Sequence, residues 1–158
     1  MLGRWYRTAI LDLMTTKTFV SDPAWIAKRT GISIGEVSDS LKKLLESGLA
    51  KVDESGVFSK THLKVRFPTT FSKSVIREHH TSQMKRAIVE LEQKITPKDF
   101  NGRLVVGFTT ACNPECLDDV KNYLHNALVE AVEMFSKDPC TEVYQINLQL
   151  IPLTKKID

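Results

Sequence analysis

Residues 21–49, SDPAWIAKRTGISIGEVSDSLKKLLESGL, decide how this chain folds. Ser21-Asp22-Pro23 offers an N-cap followed by proline at the first helical position, where a missing N–H costs nothing. A helix over Pro23–Thr30 follows, and Gly31 stops it because glycine accepts the left-handed conformation that ends helices. Ser33-Ile34-Gly35-Glu36 then spells the S-x-x-E capping box, in which a hydroxyl and a carboxylate each satisfy a free backbone N–H. The helix it opens carries Val37, Leu41, Leu44 and Leu45 on one stripe and ends at Gly48.

Working outward, apolar residues at 5, 6, 9, 10, 13 and 14 recur every three to four positions, so Trp5–Met14 reads as a further helix. Downstream, Leu49–Val52 and Val57–Ser59 flank the turn Asp53-Glu54-Ser55-Gly56 and read as a short hairpin. Three helices and a hairpin in this order make a winged helix-turn-helix.

Pro68-Thr69-Thr70 breaks the pattern, and the chain divides there into a winged-helix domain, 1–67, and a second domain, 68–158. The second domain opens with a long helix from about Ser72 to Ile95. Its stripe is Ile76, His80, Met84, Ala87, Ile88, Leu91 and Ile95, with His79 on the polar side. Thr96-Pro97 ends it. Leu104–Thr110 reads as a short apolar strand. Asn113-Pro114 opens a helix to about Ser136 with Leu117, Val120, Leu124, Ala127, Leu128, Ala131 and Phe135 inward. In the last element Tyr144, Ile146, Leu148 and Leu150 alternate with Gln145, Asn147 and Gln149, which predicts a strand with one buried and one polar face. The expected fold class is α+β, a winged helix-turn-helix followed by a small helix-strand-helix-strand domain. Two strands are too few for an independent sheet, so a homodimer is expected to complete it.

The 158 residues carry a formal net charge of +3, unevenly spread. Eleven Lys/Arg face seven Asp/Glu in 1–70, six face four in 71–101, and five face eight in 102–158, so the front is basic and the back acidic. No signal peptide is indicated, and no apolar run approaches the roughly 18 residues of a membrane span. Three cysteines, Cys112, Cys116 and Cys140, are an odd number and fit a reducing compartment. The expected location is the cytoplasm, with no membrane partner.

In DNA-binding winged helices the third helix enters the major groove. Here its outward positions are Glu36, Ser38, Asp39, Ser40, Lys42 and Lys43, and the hairpin tip adds Asp53 and Glu54. Carboxylates facing a polyanion make a poor groove reader. Basic residues stand at Lys28, Arg29, Lys42, Lys43, Lys51, Lys60, Lys64 and Arg66, either as a phosphate-binding set or as a solvated face. The residues expected to touch DNA are Lys28, Arg29, Ser38, Ser40, Lys42, Lys43 and Lys51. The acidic Glu36, Asp39, Asp53 and Glu54 would instead suit a protein partner.

Cys112 and Cys116, with His79, His80 and His125, invite a metal reading, but no second ligand pair follows at close spacing, so no metal and no cofactor is expected. Cys116 falls at a helix start, where the dipole favours a thiolate, so Cys112 and Cys116 are candidates for a thiol switch. Gln145, Asn147 and Gln149 could line a polar ligand or simply face water. No phosphate loop, nucleophile elbow or metalloprotease motif is present, and a binding module is expected in place of an enzyme.

Trp5-Tyr6, Asp22-Pro23-x-Trp25-Ile26-Ala27, Leu44-Leu45-x-x-Gly48-Leu49, His80-x-x-x-Met84 and Val143-Tyr144-Gln145-x-Asn147-x-Gln149-x-x-Pro152-Leu153-Thr154 span nearly the whole chain. On these residues the sequence resembles a family of bacterial conserved hypothetical proteins, classed as a domain of unknown function and abundant in predatory and fibre-degrading bacteria. The resemblance implies a transcriptional regulator and carries no catalytic or ligand residues. Members usually bear a further helix-turn-helix segment before the Trp-Tyr pair. The function expected is therefore regulation of transcription, with the winged helix binding DNA or supporting a DNA-binding neighbour and the C-terminal half dimerising or sensing. The alternative is a protein-interaction module that does not touch DNA.

Overall fold

A computed structural model describes residues 3–62 and 72–155. The expected break at Pro68-Thr69-Thr70, the boundary at 67/68, and Lys64 and Arg66 lie outside these residues. The fold is mixed α+β, with helices first and then a hairpin. In order it has α1 (Trp5–Leu13), α2 (Pro23–Thr30), α3 (Ile34–Glu46), β1 (Ala50–Val52), β2 (Phe58–Lys60), α4 (Lys73–Gln93), α5 (Pro97–Asn101), a 3-10 turn (Pro114–Cys116) and α6 (Leu117–Phe135). The chain forms two compact units. The first is Met1–Gln93 with Pro139–Tyr144, and the second is Lys94–Asp138 with Gln145–Asp158.

Local chemistry sets the boundaries in the first unit. The Asp22 carboxylate accepts from the N–H groups of Ala24 and Trp25, at 3.3 and 2.9 Å, and so caps α2. Gly31 closes that helix at φ 72°, a conformation glycine adopts at no steric cost. Ser33 and Glu36 form the reciprocal capping box at the start of α3. β1 and β2 pair antiparallel with Ala50 opposite Lys60 and Val52 opposite Phe58. Ser21 fastens the loop before α2 to the hairpin, its hydroxyl accepting from Phe58 N–H at 2.8 Å and donating to the Gly56 carbonyl at 3.0 Å.

The core lies between α1, α2, α3 and β1. Ile10, Leu11, Ile26, Val37 and Leu44 are fully buried, and Tyr6, Leu13, Met14, Ala27, Leu41 and Ala50 complete the cluster. Burying an aliphatic side chain stabilises by about 1.5–3 kcal/mol, so this one cluster dominates the stability of the unit.

Helix α4 packs against α1 with a face rotated from the one expected, in which Ile76 and Ala87 of the expected stripe stay half-buried. Trp5 N–H donates to Ser82 Oγ at 2.9 Å, and the Arg86 guanidinium lies over the Trp5 ring, 5.1 Å from its centroid. His79 is buried and His80 exposed, the reverse of the sequence expectation. The apolar stripe Met84, Ile88, Leu91 and Ile95 consequently faces outward. The polar side packs because Ser82 and Arg86 supply specific partners for Trp5, which a purely apolar stripe cannot.

In the second unit the strands expected over 104–110 and 144–150 do not form, since neither segment is assigned to a strand. Among the described residues no sheet partner lies beside them, and an extended segment becomes a strand only when its N–H and C=O groups are paired. The expected burial of the alternating apolar face is also absent, with Ile146, Leu148 and Leu150 exposed. On α6 only Leu124, Leu128 and Ala131 are half-buried, whereas Leu117, Val120, Ala127 and Phe135 are exposed. A short helix not expected from the sequence, α5, is started by Thr96 and Asp99 as a capping box with Pro97 at its first turn.

Candidate interaction face on helix α3

The outward surface of α3 is built by its cap. Ser33 N–H and Ser33 Oγ both donate to Glu36 Oε2, at 3.0 and 2.8 Å, and Glu36 N–H donates back to Ser33 Oγ at 3.3 Å. The Ser33 hydroxyl, followed by its backbone N–H, holds the Glu36 carboxyl below its ordinary value, so it stays ionised. One turn on, Asp39 accepts from Lys43 Nζ at 2.8 Å and from Arg7 Nη2 at 3.4 Å. The hydrogen bond from Lys43 is the main cause of a lowered Asp39 pKa.

The candidate DNA residues are not displayed together. Ser38 and Lys42 are exposed on α3, and Lys42 lies 3.9 Å from Glu46. Ser40, counted among the outward positions, is fully buried and donates to the Glu36 carbonyl at 2.7 Å. It stands three residues after Val37 on the inward stripe, and a small hydroxyl that bonds back to the preceding turn fits there. Lys43 is committed to Asp39. Arg29 donates to the Thr141 carbonyl at 3.0 Å and to Glu142 Oε2 at 2.9 Å, and stacks over Trp25. Lys60 pairs with Asp12 across the hairpin and α1. Lys28 and Lys51 are exposed and make no ion pair among the described residues.

The acidic candidates are partly consumed in the same way. Asp53 Oδ1 accepts from the N–H groups of Ser55 and Val57, both at 2.9 Å, which makes it the organiser of the hairpin turn. Glu54 remains exposed at the tip.

Between the start of α2, the outer side of α3 and β2 runs a groove of about 450 Å³ lined by Pro23, Ser38, Leu41, Lys42, Leu45, Glu46 and Phe58. Its walls are largely apolar, with Lys42 and Glu46 supplying charge. Periodicity assigns Leu41 and Leu45 to the inward stripe alone. The signal that both could also wall a groove is the proline and the phenylalanine they meet there, which only tertiary structure brings together.

Residues 1–153 match the family described as "Domain of unknown function (DUF4423)". The chain belongs to the DUF4423 family. No curated protein and no solved structure matches it. The remaining candidates of this DUF4423 chain lie in or beside its second unit. Cys112 and Cys116 are exposed, Cys140 is half-buried, and the three form no disulfide. Cys116 occupies the N-cap of α6 without a side-chain capping bond. Gln145, Asn147 and Gln149 are exposed. Among the described residues no group of three or more His, Cys, Asp or Glu could hold a metal ion, and no helix is long and apolar enough to cross a membrane.

Proposed function

We propose that this DUF4423 chain is a winged-helix module of a bacterial transcription regulator, one that contacts protein and supports DNA recognition without itself reading bases, and that it is a binding module and not an enzyme. The order of three helices and a hairpin, together with the family resemblance, supports the regulatory class. The observation that carries the protein-contacting role is the surface of α3. Its first two turns expose Ile34, Gly35, Glu36, Ser38 and Asp39, with both carboxylates held ionised.

A groove reader needs the opposite, with donors toward base edges and cations toward phosphates. Of the cations beside that role, Arg29 and Lys43 are bound within the chain, and Lys42 lies 3.9 Å from Glu46. What α3 offers instead is an apolar groove with one lysine and one glutamate, a composition suited to side chains of another protein.

A gel shift with genomic fragments at low salt tests this reading. The expected result is no discrete, sequence-dependent complex with the chain alone. A discrete complex that survives excess random competitor DNA would overturn it.

One observation favours a second reading, in which the chain itself rests on DNA phosphates. Lys28 and Lys51 are exposed and outside any ion pair among the described residues. Such contacts position a protein on the duplex without reading sequence.

A further inference from the structure

The second unit lacks what a free-standing domain needs. The buried core cluster belongs to the first unit. In the second, Leu104 is 87% exposed and Phe108 92%, and Ile146, Leu148, Leu150, Ile151 and Leu153 are all exposed. Large contiguous apolar exposure on a folded protein marks an interaction surface.

The two extended segments also present open edges. Leu104–Thr110 and Ile146–Ile151 make no backbone hydrogen bond among the described residues. Sheet edges left to solvent are normally blunted by lysine, proline or an inward charge. Neither segment has any of these, for 104–113 and 143–151 contain no charged residue and no proline.

Amount and chemistry together select the occupant. Leu104, Val105, Val106 and Phe108 in one segment and Ile146, Leu148, Leu150 and Ile151 in the other are all exposed, two apolar strand faces and more than a single docked peptide strand would cover. The absence of charge on both segments leaves nothing to select a charged foreign partner.

Symmetry supplies the rest. When a strand pairs antiparallel with its own copy about a two-fold axis through one of its residues, positions of the same parity meet. With the axis at Leu148, Ile146 meets the partner's Leu150 and Asn147 meets the partner's Gln149. The apolar row then stays on one face and the amide row on the other. Leu148 and Leu150 already line a cavity with Leu124 and Leu128 of α6, so the apolar row of the paired strands would lie over α6 in each copy.

We infer that the second unit is an assembly surface for a second copy of this chain, in which segment 146–150 pairs antiparallel with the same segment of its partner and closes the apolar row over α6. Asn147, Gln149 and the neighbouring Gln145 form the polar side of the ladder and not a ligand site.

Sedimentation of the full chain over micromolar concentrations, with amide exchange read at 146–150, tests this. The expected mass is twice 17.9 kDa, with slowed exchange at 146–150 that is lost on dilution to monomer. Alternate residues of an antiparallel strand aim their N–H at the partner, so one of the two variants Asn147→Pro and Leu148→Pro removes a ladder donor from each copy and is expected to weaken association roughly ten- to hundredfold, leaving the melting of the first unit unchanged. A monomer throughout the range, or a dimer whose 146–150 amides exchange unprotected, would overturn the inference. So would a dimer of unaltered affinity in both Asn147→Pro and Leu148→Pro.

Discussion

Arg7 on α1 reaches Asp39 on α3, its Nη2 3.4 Å from the carboxylate, while Lys43 holds the same carboxylate at 2.8 Å from the other side. The Arg7 side chain is 11% exposed and that of Asp39 49%. An acidic residue on the outer face of α3 is thereby tied to the helix that carries much of the core. Its charge is paired within the fold, so recharging this face for DNA would take the Asp39 carboxylate from both Arg7 and Lys43.

Stability should fall on acidification in a defined direction. Glu36 and Asp39 have folded pKa values below their ordinary 4.5 and 3.8. Their contribution is therefore fully present above those ordinary values and is lost as pH falls through the lowered folded ones. Melting temperature followed from neutral pH into the acid range should decline below about pH 4.5, the ordinary glutamate value. The double variant Glu36→Gln, Asp39→Asn should show a flatter decline, and an identical slope would exclude both groups.

Leu44→Ala should destabilise the first unit by about 2–5 kcal/mol, the cost of a buried cavity. Leu44 is fully buried at the centre of the cluster joining α1, α2, α3 and β1. Urea unfolding measures it, and a loss below that of an exposed leucine variant such as Leu104→Ala would refute the assigned core.

Ser33→Ala removes the hydroxyl of the capping box and should cost about 0.5–2 kcal/mol. The same denaturation curves report it. Gly31→Ala, at φ 72°, should cost about 1 kcal/mol through left-handed strain, and no change in either variant would mean that the boundaries of α2 and α3 are set elsewhere.

Elements whose signals are local were legible in the sequence. Asp22, Gly31, the Ser33–Glu36 box and Gly48 mark α2 and α3 because capping is chemistry among residues a few positions apart. Helix α5 carries the same signal in Thr96-Pro97-x-Asp99, but Pro97 also serves as a stop for the helix before it, and the two roles are not separable from sequence alone. What periodicity cannot supply is the identity of the packing face. Periodicity marks a stripe through Ile76, His80 and Met84, yet α4 is rotated so that His79, Ser82 and Arg86 pack toward α1, and Gly3 runs so close to Glu78 that a Cβ there would lie 2.6 Å from its carboxyl carbon. Alternation in 144–150 reports an extended chain, whereas pairing depends on a neighbour far away or on another molecule. The candidate site was half legible for the same reason. The acidic character of α3 is written in its residues, but the burial of Ser40, the capture of Arg29 by Glu142 and the groove walled by Pro23 and Phe58 arise only on folding.

The most direct test of the account is fluorescence anisotropy of labelled duplexes titrated with the chain at two salt concentrations. Binding is predicted to be no tighter than about 10⁻⁶ M at physiological salt, the non-specific range, equal for random and genomic sequences, with a salt slope flattened by Lys28→Ala, Lys51→Ala and unmoved by Ser38→Ala. Affinity of about 10⁻⁸ M or better for one sequence, the range of specific readers, reduced by Ser38→Ala or Lys42→Ala, would contradict it.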